Sequence, residues 1–99
     1  MITKAPDFAE AWNKRATLYY QLGEYRKSLA DCEEVIKRNP VHFGALAGFG
    51  LIYVELGDLD KALEFFERAV SVNPNLYQIR ATIEAIKRKI RRGRLDHET

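Results

Sequence analysis

Residues 46–74 read LAGFGLIYVELGDLDKALEFFERAVSVNP, with apolar side chains at helical spacing on both sides of Gly57. A glycine just past a helical pattern can adopt the left-handed conformation that ends a helix, and a proline cannot continue one. Asp58 directly follows this glycine and is suited to be the N-cap of a second helix. The stretch therefore predicts a hairpin of two helices that ends at Pro74.

The same hairpin occurs a second time in the chain. The three prolines, Pro6, Pro40 and Pro74, are evenly spaced, since the differences 40 − 6 and 74 − 40 are both 34, and this spacing is the repeat period. Residues 9–42 (unit one) align without a gap on residues 43–76 (unit two), which indicates a repeated structural unit. The other identical pairs are Ala11/Ala45, Tyr19/Tyr53, Leu22/Leu56, Gly23/Gly57, Lys27/Lys61, Leu29/Leu63, Glu33/Glu67 and Asn39/Asn73.

Each unit is expected to contribute two helices. The predicted helices begin near Asp7, as N-cap, and then run from about Tyr25 to Lys37, His42 to Leu56 and Leu59 to Val72. Residues at helical spacing are expected to be buried. They are Ala11, Trp12, Ala16 and Tyr19 in the first helix, Leu29, Cys32, Val35 and Ile36 in the second, and Ala62, Leu63, Phe66, Ala69 and Val70 in the fourth.

A fifth helix is predicted from about Leu76 to Arg92. It carries a single apolar stripe of isoleucines, at positions 79, 83, 86 and 90, and is charged around most of the remaining surface. This pattern is typical of a capping helix, which seals a stack of repeats on one side and faces water on the other. Residues 93–99 are expected to form a disordered basic tail, and the 99 residues to form a single domain.

The two units resemble the tetratricopeptide repeat, whose pattern is W-x2-L-G-x2-Y, then A-x3-F, then P. Unit two reads Leu46-x2-Phe49-Gly50-x2-Tyr53, Ala62-x3-Phe66 and Pro74. Unit one reads Trp12-x2-Arg15-Ala16-x2-Tyr19, Ser28-x3-Cys32 and Pro40. The resemblance implies an all-α fold of five helices, in which antiparallel hairpins stack as a right-handed α-solenoid. Unit one departs from the pattern at Arg15, Ser28 and Cys32, so looser packing is expected there.

Composition excludes several classes of protein. With 46% hydrophobic and 30% charged residues, the chain has the composition of a soluble globular protein, and its longest apolar run is too short to span a bilayer. No signal peptide is visible, so a cytoplasmic location is expected. The lone Cys32 has no cysteine with which to form an intramolecular disulfide or a metal site, and it is interpreted as a small core residue.

Charge is distributed unevenly along the chain. Residues 1–76 carry 9 basic and 11 acidic groups, whereas residues 77–99 carry 7 and 3. A basic helix end is favourable to the helix dipole. It could also meet an anionic surface, but the low net charge and the few accompanying aromatic residues disfavour nucleic acid.

The sequence shows no catalytic set. His42 and His97 are isolated, and no glycine-rich phosphate loop follows a strand. The acidic clusters fall on helix surfaces or at a helix start, where solvation explains them better than general acid and base roles. The protein is therefore predicted not to be an enzyme and to hold neither a cofactor nor a metal.

The resemblance implies that the protein binds a protein or peptide partner in a concave groove. The positions that face inward in the family correspond here to Glu10, Asn13, Lys14, Thr17, Tyr20, Gln21, Gly44, Ala47, Gly48, Leu51, Val54, Glu55, Gln78 and Thr82, with Ala81 and Ala85 beside the last two. Some members hold a C-terminal carboxylate with lysine, arginine and asparagine side chains. The matching positions, Asn13, Thr17, Gly48, Gln78 and Thr82, lack that clamp, so no carboxylate-clamp ligand is expected.

The glycines of FGALAGFG, residues 43–50, fall into two kinds. An interior glycine costs a helix about 1 kcal/mol relative to alanine, so each needs a reason. Gly50 lies at the small signature position where two helices touch. Gly44 and Gly48 are not required by the repeat and are predicted to face the groove, where small residues let an apolar or helical segment approach. The alternative, that they face only water or pack within the array, stays open.

Two other functions stay open from the sequence. Pro6 occupies the last signature position of a unit whose earlier residues are absent, and this suggests an uncapped N-terminal end. The chain could thus be a structural or assembly segment of a longer repeat array, or a scaffold that forms homo-oligomers through this end. RNA binding is the third function, and it is disfavoured because Ala47, Gly48 and Leu51 are poor readers of bases.

Overall fold

The computed structural model describes the backbone of residues 8–98 and the side chains of residues 9–93. Within this part the protein is all-α, with five helices and no strand. The helices are α1 (Phe8–Gln21), α2 (Tyr25–Arg38), α3 (Phe43–Leu56), α4 (Leu59–Val72) and α5 (Tyr77–Glu98). Most of these bounds lie within two residues of the predicted ones. Asp7, the predicted N-cap of α1, lies outside the described residues.

The two hairpin turns are built alike because both use a glycine in the left-handed region. The φ angles are +79° at Gly23 and +84° at Gly57. The amides that follow close the turns, since Glu24 N donates to Tyr19 O at 2.8 Å and Asp58 N donates to Tyr53 O at 2.9 Å. Asp58 also accepts a hydrogen bond from Lys61 N at 3.1 Å, which confirms its predicted role as N-cap.

Gly50 and Phe66 form the centre of the second hairpin. Phe66 is completely buried, and a Cβ atom added to Gly50 would lie only 2.6 Å from its Cδ1 and 2.7 Å from its Cζ. The equivalent positions of the first hairpin hold Ala16 and Cys32, each 2% exposed. A smaller residue on one helix is therefore paired with a larger one on the other, in both hairpins.

The backbones of α1 and α2 approach each other as closely as those of α3 and α4, so the looser packing expected in unit one is limited to side chains around Ala16, Ser28 and Cys32, which line a pocket. The residues that depart from the repeat pattern are satisfied by polar contacts. Ser28 Oγ donates to the carbonyl of Ala16 at 2.7 Å. Arg15 donates two hydrogen bonds of 2.8 Å to the buried carboxylate of Asp31, and these bonds raise the pKa of the Arg15 guanidinium. The pair is bidentate, which holds both side chains in one orientation.

Ala11 was expected in the core and is exposed instead. Its counterpart Ala45 is completely buried because α2 packs against that side of α3. No described element packs against the same side of α1. Ala9 occupies the buried position near the start of α1, where it clusters with Val35 and Ala45.

Helix α5 packs on α4 through the predicted stripe, with Ile83 and Ile86 buried against Ala62 and Phe66. It then continues to Glu98, whereas the sequence predicted its end near Arg92 and disorder over 93–99. The reason lies in the repeat, because Arg91 stands one repeat period after Gly57, where a turn glycine would be needed. Without that glycine no left-handed turn ends the helix, so α5 continues. No described helix combines the length and apolar character needed to cross a membrane.

Candidate functional site

A small pocket lies between α1 and α3 and contains half of the predicted groove residues. Its volume is about 130 Å³, and its lining is mostly apolar. Of the fourteen predicted residues, those that line it are Asn13, Thr17, Tyr20, Gly44, Ala47, Gly48 and Leu51. The remaining lining comes from Ala16, Ser28, Cys32 and Ile52. These four were not among the groove residues predicted from the sequence.

The pocket exists because the residues at its floor are small. Cys32 occupies the position that Phe66 fills in the second hairpin, and Ser28 occupies that of Ala62. Gly48 lies directly above the cysteine, since a Cβ added there would be 3.4 Å from Cys32 Sγ. The departures of unit one from the repeat pattern were the sequence signal for this pocket, although they suggested loose packing rather than a cavity.

The floor of the pocket is uncharged. Burial raises the pKa of the Cys32 thiol to about 12, and the neighbouring carboxylates of Asp31 and Glu33 act in the same direction. The thiol therefore stays protonated at neutral pH, and it behaves as a small apolar group rather than as a nucleophile.

The size of the pocket limits what can enter it. Pockets for drug-sized molecules measure about 300–1,000 Å³, whereas this one holds about 130 Å³. That space suits an apolar side chain of a larger partner rather than a whole small molecule.

His42 connects α1 and α3 at one rim of the pocket. Ala45 N donates to its Nδ1 at 3.0 Å, so the histidine is the N-cap of α3, at the start predicted for that helix. Because Nδ1 accepts, Nε2 carries the proton and donates to Glu10 Oε1. A Cβ added to Gly44 would lie 3.0 Å from the ring atom Cε1, so this glycine makes room for the histidine as well as lining the pocket.

Tyr20 lines the pocket and contacts a second aromatic residue, Tyr25. The rings of Tyr20 and Tyr25 lie 5.7 Å apart, and the hydroxyl of Tyr25 donates to Glu55 Oε2 over 3.5 Å. Burial, and then the carboxylate of Glu55, raise the pKa of Tyr20. Tyr20 thus presents an apolar ring to the pocket and a protonated hydroxyl to the rim.

The other predicted groove residues lie outside the pocket. Lys14, Gln21 and Gln78 are exposed, as are Ala81 and Ala85. Val54 is half-buried and packs against the cluster formed by α4 and α5. Thr82 donates its hydroxyl to the carbonyl of Gln78 at 2.9 Å, as Thr17 does to Asn13 at 3.0 Å. Among the described residues, no group of three or more His, Cys, Asp or Glu is placed to hold a metal ion.

The chain is similar to known repeat proteins from bacteria and eukaryotes. A TPR repeat-containing protein of Rhizobium etli is 44% identical over 73 residues, which cover 74% of this chain and 36% of that protein. Hsp70-Hsp90 organizing protein 1 of Glycine max is 30% identical over 94 residues, which cover 91% of this chain and 16% of that protein. The chain therefore spans little more than a third of the first relative and less of the second.

Solved structures share the fold. The first TPR of Spaghetti (RPAP3), solved with the HSP90 peptide SRMEEVD, has a TM-score of 0.79 at 21% identity, covering 83% of this chain and 65% of that one. MamA has a TM-score of 0.79 at 25% identity, covering 82% and 47%. The family model for the tetratricopeptide repeat matches residues 13–76, more than half of the sequence. This chain therefore belongs to the tetratricopeptide repeat family.

Proposed function

We propose that the protein is a non-enzymatic interaction module that binds a peptide or helical segment of a partner between α1 and α3. The observation that carries this proposal is the pocket between Cys32 and Gly48. Leu51 and Ile52 also line it. A buried apolar anchor in such a pocket, surrounded by a polar rim, is the usual arrangement of a peptide-binding site.

The relatives support a peptide as the ligand. The first TPR of Spaghetti was solved with a bound HSP90 peptide, at a fold similarity that covers 83% of this chain. The positions that match the family's carboxylate clamp hold Asn13, Thr17, Gly48, Gln78 and Thr82 here. Since none of these side chains is basic, we propose that the anchor is an apolar side chain rather than a C-terminal carboxylate.

Gly48→Leu tests the proposed site. A Cβ at this position makes ordinary contact with Cys32, and the longer side chain would occupy the pocket. We expect peptides selected on the wild-type protein from a random library to lose binding to this variant, while its thermal midpoint stays equal or rises. Binding would be measured by fluorescence anisotropy.

Gly93→Leu is the matched control. It makes the same change in helix propensity, and a Cβ at Gly93 meets no atom within 4 Å. This variant should bind the selected peptides like the wild type. Selected peptides that bind Gly48→Leu unchanged would contradict the proposed site.

A structural role is the second candidate, and one exposed face of α1 favours it. Ala11 and Leu18 lie one repeat period before Ala45 and Ile52. Ala45 and Ile52 are 0% and 1% exposed, whereas Ala11 is exposed and Leu18 is 52% exposed. The neighbouring Leu22 and its counterpart Leu56 are both exposed. By this internal symmetry, the face of α1 suits a helix of another repeat unit, from a second copy or from a longer array.

A further inference from the structure

The second half of α5 carries a basic patch on the side that continues the groove wall. The patch consists of Arg88, Lys89, Arg91 and Arg92, which are all exposed and border one shallow depression next to Ala85. Arg88 and Lys89 follow Ala85 by three and four positions, and Arg92 follows it by seven. These spacings put the three side chains on the same helical face as Ala85.

Among the described side chains, residues 9–93, no acidic group forms an ion pair with the basic patch. The neighbouring Lys87 has two acidic partners, Glu67 at 3.6 Å and Glu84 at 4.0 Å. None of the four patch residues makes an ion pair with a described side chain. Four cations so close together repel one another, so a bound anion would relieve that repulsion.

The repeat places this patch on the wall of the groove that contains the pocket. Ala85 lies one repeat period after Leu51, so the two residues occupy equivalent heights on α5 and α3. Arg88 and Lys89 lie one repeat period after Val54 and Glu55, two of the positions predicted to face the groove. The patch therefore continues the series of predicted groove positions beyond the pocket.

We propose that the partner segment is acidic: an apolar side chain enters the pocket, and carboxylates of the same segment contact Arg88 and Lys89. Recognition of acidic motifs by arginine clusters combines charge attraction with directed hydrogen bonds. This inference rests on the proposed function of the pocket and adds the charge of its ligand.

A protein segment fits the patch better than a nucleic acid does. The three groove-facing cations could neutralise about three phosphates, and strong nucleic-acid binding uses about 6–10 such contacts. No aromatic side chain of α5 lies within two turns of the patch in the described part of the helix, so a platform for base stacking is missing.

The test uses labelled synthetic peptides with one leucine and a Glu-Glu pair in a serine and alanine background, measured by anisotropy. The spacing between leucine and the acidic pair is varied, and a Gln-Gln peptide is the neutral reference. We expect the tightest-binding acidic peptide of this series to bind about ten-fold more tightly than the neutral peptide of the same spacing at low salt, and the difference to shrink as salt is added.

Charge reversal locates the interaction. Arg88→Glu with Lys89→Glu should remove the preference for the acidic peptide and leave binding of the neutral leucine peptide within about two-fold. The matched control is Arg26→Glu with Lys27→Glu. It makes the same two substitutions, one arginine and one lysine to glutamate, on the exposed surface of α2. This control should keep the preference.

The outcomes distinguish failure of the acidic-partner inference from failure of the proposed peptide-binding function. Equal binding of acidic and neutral peptides, both lost in Gly48→Leu, would overturn the acidic partner and leave the pocket intact. Peptide binding unaffected by Gly48→Leu would overturn the pocket itself, and the acidic-partner inference with it. A single-stranded RNA oligonucleotide that binds more tightly than the acidic peptide, and is lost on charge reversal, would also overturn the inference.

Discussion

At the scale of single residues, the two hairpins solve one packing problem in two ways. Gly50 admits the large ring of Phe66, whereas Ala16 faces the smaller Cys32. The choice has a consequence beyond the hairpin, because the smaller side chain leaves the pocket open between α1 and α3. A departure from the repeat pattern thus creates space without loosening the fold.

Gly50→Leu should destabilise the protein by about 1–3 kcal/mol, since the added side chain would overlap the ring of Phe66. A Cβ alone already falls within 2.7 Å of Phe66 Cζ. The free energy of unfolding would be measured by urea denaturation. The same substitution at Gly93 meets open space, so it should be neutral or stabilising. An unchanged midpoint for Gly50→Leu would show that the ring is not held against this glycine.

At the scale of helices, caps and turns decide where each element begins and ends. Asp58 was predicted as the N-cap of α4 from its position after Gly57, and the structure confirms it. His42 takes the same role for α3 and also donates to Glu10 on α1. The length of α5 depends on an absent turn, because Arg91 stands where a glycine ends the first helix of each hairpin.

His42→Ala should cost about 1 kcal/mol of unfolding free energy, because the amide of Ala45 loses its acceptor and the hydrogen bond between His42 Nε2 and Glu10 is lost. His42→Asn can still cap the helix but is too short to reach Glu10, so it should recover most of the loss. Urea denaturation of both variants would test this. Equal stability of His42→Ala and the wild type would show that solvent replaces both hydrogen bonds.

At the scale of the whole molecule, the ends of the stack differ. The stripe of isoleucines on α5 packs against α4, and the rest of that helix is largely polar. The corresponding face of α1 carries Leu18 and Leu22, both exposed. Repeat stacks gain stability from contacts between neighbouring units, so an uncovered apolar face favours association.

Leu18→Lys with Leu22→Lys should shift the protein toward monomer, if copies associate through this face of α1. Sedimentation equilibrium over a concentration series would measure the shift. Val41→Lys is the control, since Val41 is 60% exposed and lies outside this face. A wild-type protein that is monomeric up to high micromolar concentration would remove self-association as a role for the face.

The repeat period and the positions of the glycines and prolines were sufficient to predict five helices and most of their bounds, because turn and capping signals are local. The isoleucine stripe of α5 was also predicted from the sequence, because it depends only on helical periodicity. Burial between units was harder to predict from the sequence. Ala11 matches Ala45, yet only Ala45 has a helix packed on it. The sequence pattern is the same at both positions, and burial depends on the neighbour.

The sequence by itself determined the fold class and the repeated hairpin, since helical periodicity and turn chemistry act over short stretches of chain. Only the tertiary structure decided that Cys32, Ser28 and Gly48 enclose a pocket, because these residues come from different helices, α2 and α3, and meet only when those helices pack. A cavity remains where the side chains of facing helices do not fill the space between those helices. That space is set when the helices pack against one another.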